Sequence, residues 1–133
     1  MLSLIILLAS CTPSLGGNTY YVATNGNDAN PGTIDQPWKT IQKAADTLAA
    51  GDTALIRGGL YLVYGKDEPI VVKNSGVPTN LITIKSYPGE TVTIQGDYTK
   101  SGDWAWFGIL VPGTSYIKIE GLTIKGFHTG IVC

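Results

Sequence analysis

Short apolar runs punctuate this chain: Ala54-Leu55-Ile56, Ile70-Val71-Val72, Ile82-Thr83-Ile84, Val92-Thr93-Ile94, Ile109-Leu110-Val111, Ile117-Lys118-Ile119, Leu122-Thr123-Ile124 and Ile131-Val132. In most of them apolar residues flank a polar or small one, and Gly, Pro or Asn follows. That pattern predicts short strands with one buried face, each ending in a turn. An earlier strand is predicted at Tyr20-Tyr21-Val22-Ala23, ahead of a dense cluster of turn formers over residues 25–32. The period then changes. Ile41, Ala44, Ala45 and Leu48 fall at i, i+3, i+4 and i+7, one face of a single amphipathic helix near residues 40–50. Thr40 can cap its start, Gly51 is expected as its C′ residue, and Lys39, Gln42, Lys43 and Asp46 take the wet side. A lone helix ahead of many strands is expected to serve as a lid over strand edges.

The spacing of the runs adds a topology. Ile109 and Ile131 lie 22 positions apart, and three successive runs between them end at similar glycines. The preceding set, around Val71, Thr83 and Thr93, repeats the order but is lengthened by residues 97–107 before the chain returns at Ile109. Two turns of a parallel solenoid and part of a third are expected. Each turn of such a fold buries its inward side chains only by stacking on its neighbours. The run Gly130-Ile131-Val132-Cys133 reads as a strand without a cap, so a fold incomplete at the C-terminus is expected.

Composition agrees with an all-β chain: 44% of the 133 residues are hydrophobic, 14% are charged, and 17 glycines and 7 prolines are spread along the sequence. A formal charge of −1 with no run of either sign excludes the concentrated positive field that nucleic acid requires. Cys11 and Cys133 have no CxxC or Cys/His spacing, which argues against a zinc site and a disulfide scaffold.

Residues 2–8 form an apolar stretch too short to span a bilayer as a helix, and small residues and a cysteine follow. Leu8-Ala9-Ser10-Cys11 resembles the bacterial lipobox, which implies removal of residues 1–10 as a signal peptide and lipid attachment at Cys11. No Lys or Arg precedes the apolar stretch, so the natural start is expected further upstream. On this reading residues 11–19 are a tether, residues 20–53 a cap and residues 54–133 the first solenoid turns. The chain is then exported and anchored at the bacterial cell envelope, at the outer membrane or cell surface, and the membrane is a partner through the lipid.

A larger resemblance rests on Tyr20-Tyr21-Val22, Asn25-Gly26-Asn27-Asp28, Asn30-Pro31-Gly32-Thr33, Pro37-Trp38-Lys39-Thr40-Ile41-Gln42-Lys43-Ala44 and Gly51-Asp52-Thr53. Arg57-Gly58-Gly59, Ile82-Thr83-Ile84-Lys85-Ser86-Tyr87-Pro88-Gly89 and Ile119-Glu120-Gly121-Leu122-Thr123-Ile124 extend it. In this order they resemble the N-terminal cap and first rungs of right-handed parallel β-helix proteins of the pectate lyase type, with family nine polysaccharide lyases as the nearest enzymes. The resemblance implies calcium-dependent β-elimination on a polyuronate in the full-length form. The cation neutralises a uronate carboxylate, acidifying the C5 proton, and a basic side chain removes it. It also places the acids and the base on central rungs beyond these residues, so no turnover is expected of this chain alone. The alternative is a noncatalytic glycan-binding or adhesion lipoprotein on the same fold.

Candidate chemistry within the chain is sparse, and no catalytic or metal-ligating residue is assigned. The rung alignment stacks only Glu90 on Glu120, each two positions before a strand, and solvated turn residues are the expected reading of both. Asp28 with Asn27 and Asn30 lacks the spacing of a calcium loop and reads as turn structure. Lys73, Lys85, Lys118 and Lys125 are expected to point outward, into solvent or into a groove for an acidic polysaccharide. His128 reads as a turn histidine. Trp104 and Trp106, among polar neighbours, are the candidate substrate-binding residues, because aromatic faces stack on sugar rings. The competing reading folds their loop over the solenoid with the aromatics buried.

Overall fold

A computed structural model describes residues 16–64, 69–97 and 106–133; residues 1–10, Cys11 and Trp104 lie outside them. The strands are β1 (Thr19–Val22), β2 (Thr53–Ile56), β3 (Gly59–Tyr64), β4 (Ile70–Val71), β5 (Ile82–Ser86), β6 (Val92–Asp97), β7 (Phe107–Leu110), β8 (Ile117–Glu120), β9 (Leu122–Lys125) and β10 (Thr129–Val132), with helix α1 (Ile41–Thr47) between β1 and β2. They form three parallel sheets in the orders β1-β2-β5-β8, β3-β6-β9 and β4-β7-β10. Each turn of chain contributes one strand to each sheet. Three turns stack, and β1 adds a fourth strand to the first sheet. Ile131 lies beside Ile109 in register, so the spacing of 22 is one complete turn.

The inward positions carry the core. Ala54 and Ile56, Ile82 and Ile84, Val92 and Ile94, and Ile109 are fully buried in adjoining strands. Stacked in register, Ile84 pairs with Ala54 on one side and Ile119 on the other. Each fully buried aliphatic side chain of this kind contributes about 1.5–3 kcal/mol relative to exposure.

Three features depart from the sequence reading. The strand β3 was not expected, because Leu60-Tyr61-Leu62-Val63-Tyr64 is apolar throughout and shows no alternation. Its burial nevertheless alternates, with Tyr61 and Val63 inward and Leu60, Leu62 and Tyr64 exposed. The helix is shorter than residues 40–50: Thr40 caps it, accepting from the Lys43 N–H, but the C-cap is Leu48 in an extended conformation. Gly51 is therefore not the C′ residue. It occupies a later turn at φ +92°, where Asp52 holds the Ala49 N–H at 2.9 Å and pulls the chain out of the helix. Gln42 is not on the wet side. Its amide nitrogen donates to the Val71 carbonyl at 3.2 Å and its amide oxygen accepts from the Val71 N–H at 2.8 Å. The side chain replaces a neighbouring strand at the edge of β4.

Candidate functional site

In a parallel solenoid the residues just before successive strands of one sheet stack on one another. Trp106 immediately precedes β7 and His128 immediately precedes β10, and Phe107 pairs with Thr129. The two rings therefore meet on adjoining turns, with centroids 5.3 Å apart and planes tilted by 34°. The Thr129 N–H donates to the Trp106 carbonyl at 2.8 Å, which fixes the corner. Trp106 remains 47% exposed, so the reading that buries it is overturned for this residue. Packing against His128 holds an indole that is about half exposed, and exposed aromatic surface of this kind suits stacking by a pyranose ring. His128 is exposed and serves here as the support of the indole.

The acidic residues do not converge. Glu90 and Glu120 both stand two positions before strands that pair, Val92 beside Leu122, yet their side chains diverge. Glu90 reaches back one turn to Arg57, whose Nε lies 3.0 Å from both carboxylate oxygens and whose Nη2 lies 2.7 Å from one of them, and it accepts from the Gly58 N–H. It is an inter-turn clamp, not the solvated turn residue expected. The Arg57 hydrogen bonds, then the Gly58 N–H, hold its carboxyl below the ordinary value. The Arg57 guanidinium in turn packs over the Tyr87 ring at 4.7 Å. Beside this clamp, burial first and the Glu90 charge second push the Tyr61 hydroxyl up to about 12. Glu120 pairs with Lys118 of its own strand at 2.9 Å, with both side chains well exposed.

Two further acids, Asp28 and Asp52, are committed to backbone N–H groups. Asp28 accepts from the Lys39 N–H at 2.8 Å and the Thr40 N–H at 2.9 Å, and from the Thr40 hydroxyl at 2.7 Å. Burial alone would raise its carboxyl, but the Thr40 and Lys39 hydrogen bonds and the Lys43 charge outweigh it and hold it low. Asp52, buried, accepts from the Asn18 and Ala49 N–H groups at 2.7 and 2.9 Å. Sequence reasoning assigned Asp52 no structural role. Its place beside Gly51, after the helix, was the available signal. Among the described residues no three His, Cys, Asp or Glu side chains cluster as a metal site. The described acids thus do not converge as the cation requires, and this arrangement does not fit it.

The lysines are dispersed as well. Lys73 follows β4, Lys85 and Lys118 lie in the first sheet, and Lys125 lies in the second. They build no common groove. The ion pairs among the described residues, Arg57–Glu90 and Lys118–Glu120, do not involve the indole, and the exposed indole on its histidine support is the arrangement best suited to a sugar.

Known proteins extend this picture. A family model described as the Pel9A-like, right-handed β-helix region matches residues 20–132. The chain is 36% identical over 109 residues to the uncharacterized protein YwoF of Bacillus subtilis, covering 82% of this chain and 22% of that protein. It is 34% identical over 91 residues to pectate lyase PEL9 of Emericella nidulans, covering 68% and 22%. Among solved structures, a rhamnogalacturonan lyase superposes with a TM-score of 0.71 at 25% identity, over 81% of this chain and 28% of that one. Pectate lyase Pel9A superposes at 0.67 with 23% identity, over 80% and 28%, a likeness of fold. The chain thus spans less than a third of the length of each of these relatives. On the model match over residues 20–132 and the parallel three-sheet solenoid, the chain belongs to the Pel9A-like right-handed β-helix family.

Proposed function

We propose that this chain is the N-terminal part of an exported carbohydrate-active β-helix protein, a polyuronate lyase acting by β-elimination in its full-length form. The observation that carries the reading is its family membership together with its 34% identity to a pectate lyase. In that reaction a base takes the C5 proton of a uronate, the C4–O4 bond breaks with its electrons leaving on oxygen, and a C4–C5 double bond forms. None of the described side chains is placed as that base. This part of the protein supplies the helix-capped first turns on which later turns stack, and Trp106 as a sugar contact. The Cys11 lipid anchor belongs to the same proposal and is tested by mass spectrometry of membrane-extracted protein.

The exposed Trp106 without an acid–base pair favours a second reading, a noncatalytic glycan-binding module. Polygalacturonate assays separate the two. The lyase reading expects the ultraviolet absorbance of unsaturated uronate from a protein extended by its downstream turns and none from the 133-residue chain. Retention of polygalacturonate without product from the extended protein establishes the binding module instead. In either case Trp106→Ala is expected to weaken retention by about 1–3 kcal/mol, about the worth of one good stacking contact. Unchanged retention removes Trp106 from the site.

A further inference from the structure

The three sheets each present a first edge at the capped end, and the chain treats the three differently. In a parallel strand each residue turns both its N–H and its C=O toward one neighbour, and the next residue turns both the other way. In β1 the outward residue is Tyr21; its N–H donates to the Gly32 carbonyl at 2.8 Å and its carbonyl accepts from the Trp38 N–H at 2.9 Å. In β4 the outward residue is Val71, satisfied on both groups by Gln42. In β3 the Gly59 N–H donates to the Thr91 carbonyl of the next turn, so Gly59, Tyr61 and Val63 face β6. Leu60 and Leu62 face the open edge, where their N–H and C=O groups have no partner among the described residues. Two edges are closed by dedicated devices, and the third is left open at Leu60 and Leu62 among the described residues.

That edge lines a cavity of about 660 Å³ together with α1 and β4, with Gln42 and Asp46 from the helix, Leu60 and Leu62 from β3, and Lys39 and Lys73 also in its lining. We propose that this groove binds a single extended polypeptide, which adds to β3 as a further strand and carries carboxylates at its flanks. The bonding groups come as N–H and C=O pairs at every second residue, the step of another backbone and not of a sugar chain. The side chains of the same two residues, Leu60 and Leu62, are exposed (49% and 40%) and suit apolar side chains of an added strand. Lys39 and Lys73 have no ion-pair partner among the described residues and outnumber Asp46, the one carboxylate lining the cavity, so its net charge is positive. A second copy does not fit end to end. A paired strand sits roughly 4.8 Å away, and α1, roughly 10 Å across, already fills the adjoining layer over the core. Only a slim chain enters.

The test uses the full chain and an acetylated, amidated peptide of alternating valine and threonine with a glutamate at each end. Saturable binding is expected by fluorescence anisotropy. Leu62→Pro removes the open N–H and leaves the β3–β6 ladder intact, and is expected to weaken binding about tenfold or more; if that variant fails to fold, Leu60→Lys with Leu62→Lys takes its place. Alternate N-methylation of the peptide is expected to abolish binding, and Lys39→Gln with Lys73→Gln to reduce both affinity and salt dependence. Equal binding by the N-methylated peptide, or by the edge variant, overturns the proposal. So does displacement of the peptide by oligogalacturonate, which makes the groove a glycan site, or self-association of the chain that the edge variant abolishes.

Discussion

The two ends of the stacked turns differ in how they cover the same kind of residue. At the first turns, Trp38, Ile41, Ala44, Ala45 and Leu48 close over Ala54, Ile56, Ile82 and Ile84, and all of these are buried. In the third turn, Ile117, Ile119, Leu122 and Ile124 occupy the same inward register but are only partly buried. The isoleucine pair Ile84 and Ile119 shows the difference most directly, since the two sit side by side in one ladder. An inward side chain in a solenoid is worth what its neighbours on both sides make of it. Inward position in the sequence pattern is therefore not enough to rank core residues.

Truncation of that pair should give the largest separation. Ile84→Ala removes atoms from a site packed above and below and leaves a cavity, at a cost of about 2–5 kcal/mol. Ile119→Ala removes the same atoms from a site that water already reaches, and the expected cost is about 1 kcal/mol, the transfer term without a closed cavity. Urea unfolding of both variants checks this. Equal losses would show that the third turn is covered as well as the second and would break the comparison.

At the capped end the critical device is a single side chain. Gln42→Ala leaves the N–H and C=O of Val71 without partners in a partly buried position, with an expected cost of about 1–3 kcal/mol. The same substitution should accelerate hydrogen exchange at the Val71 amide while leaving amides of β8 and β9 unchanged. Uniform acceleration across all three turns would mean that the edge is not a local feature of the cap.

The legibility of these features follows from their range. The solenoid turn was readable because Ile109 and Ile131 repeat one environment at one spacing. The helix face was readable because Ile41, Ala44, Ala45 and Leu48 alternate with polar residues, and Thr40 was readable as a cap because that bond spans three positions. β3 was not, since Leu60 to Tyr64 are apolar on both faces and period two leaves no trace. Neither the Gln42 contact with Val71 nor the Glu90 clamp on Arg57 was visible, because each joins residues about 30 positions apart and depends on which turn stacks where. Trp106 was a candidate from its aromatic ring and polar neighbours alone, and its support by His128 required the register of β7 and β10.

The smallest expected effect comes from acid, and it separates the two glutamates. Glu90 joins the first turn to the second, whereas Glu120 pairs within its own strand. Both carboxyls are held below their ordinary value of 4.5 in the folded chain, Glu90 chiefly by Arg57 and Glu120 chiefly by Lys118. With the folded value below the unfolded one, the unfolded chain binds more protons in between, so stability rises with pH across that window. Each contribution is complete above about 4.5 and disappears as the pH falls through the lowered folded value. Glu90→Gln should therefore lower the melting temperature at neutral pH and flatten its decline under acid. Glu120→Gln should do little at either pH, because its pair with Lys118 is exposed and Lys85 on the adjoining strand adds only a weaker, solvent-screened attraction. If Glu120→Gln flattened the acid limb as much as Glu90→Gln, linkage between turns would not be what makes Glu90 matter, and Arg57→Gln would then separate its two links to the first turn, the Arg57 pair and the Gly58 hydrogen bond.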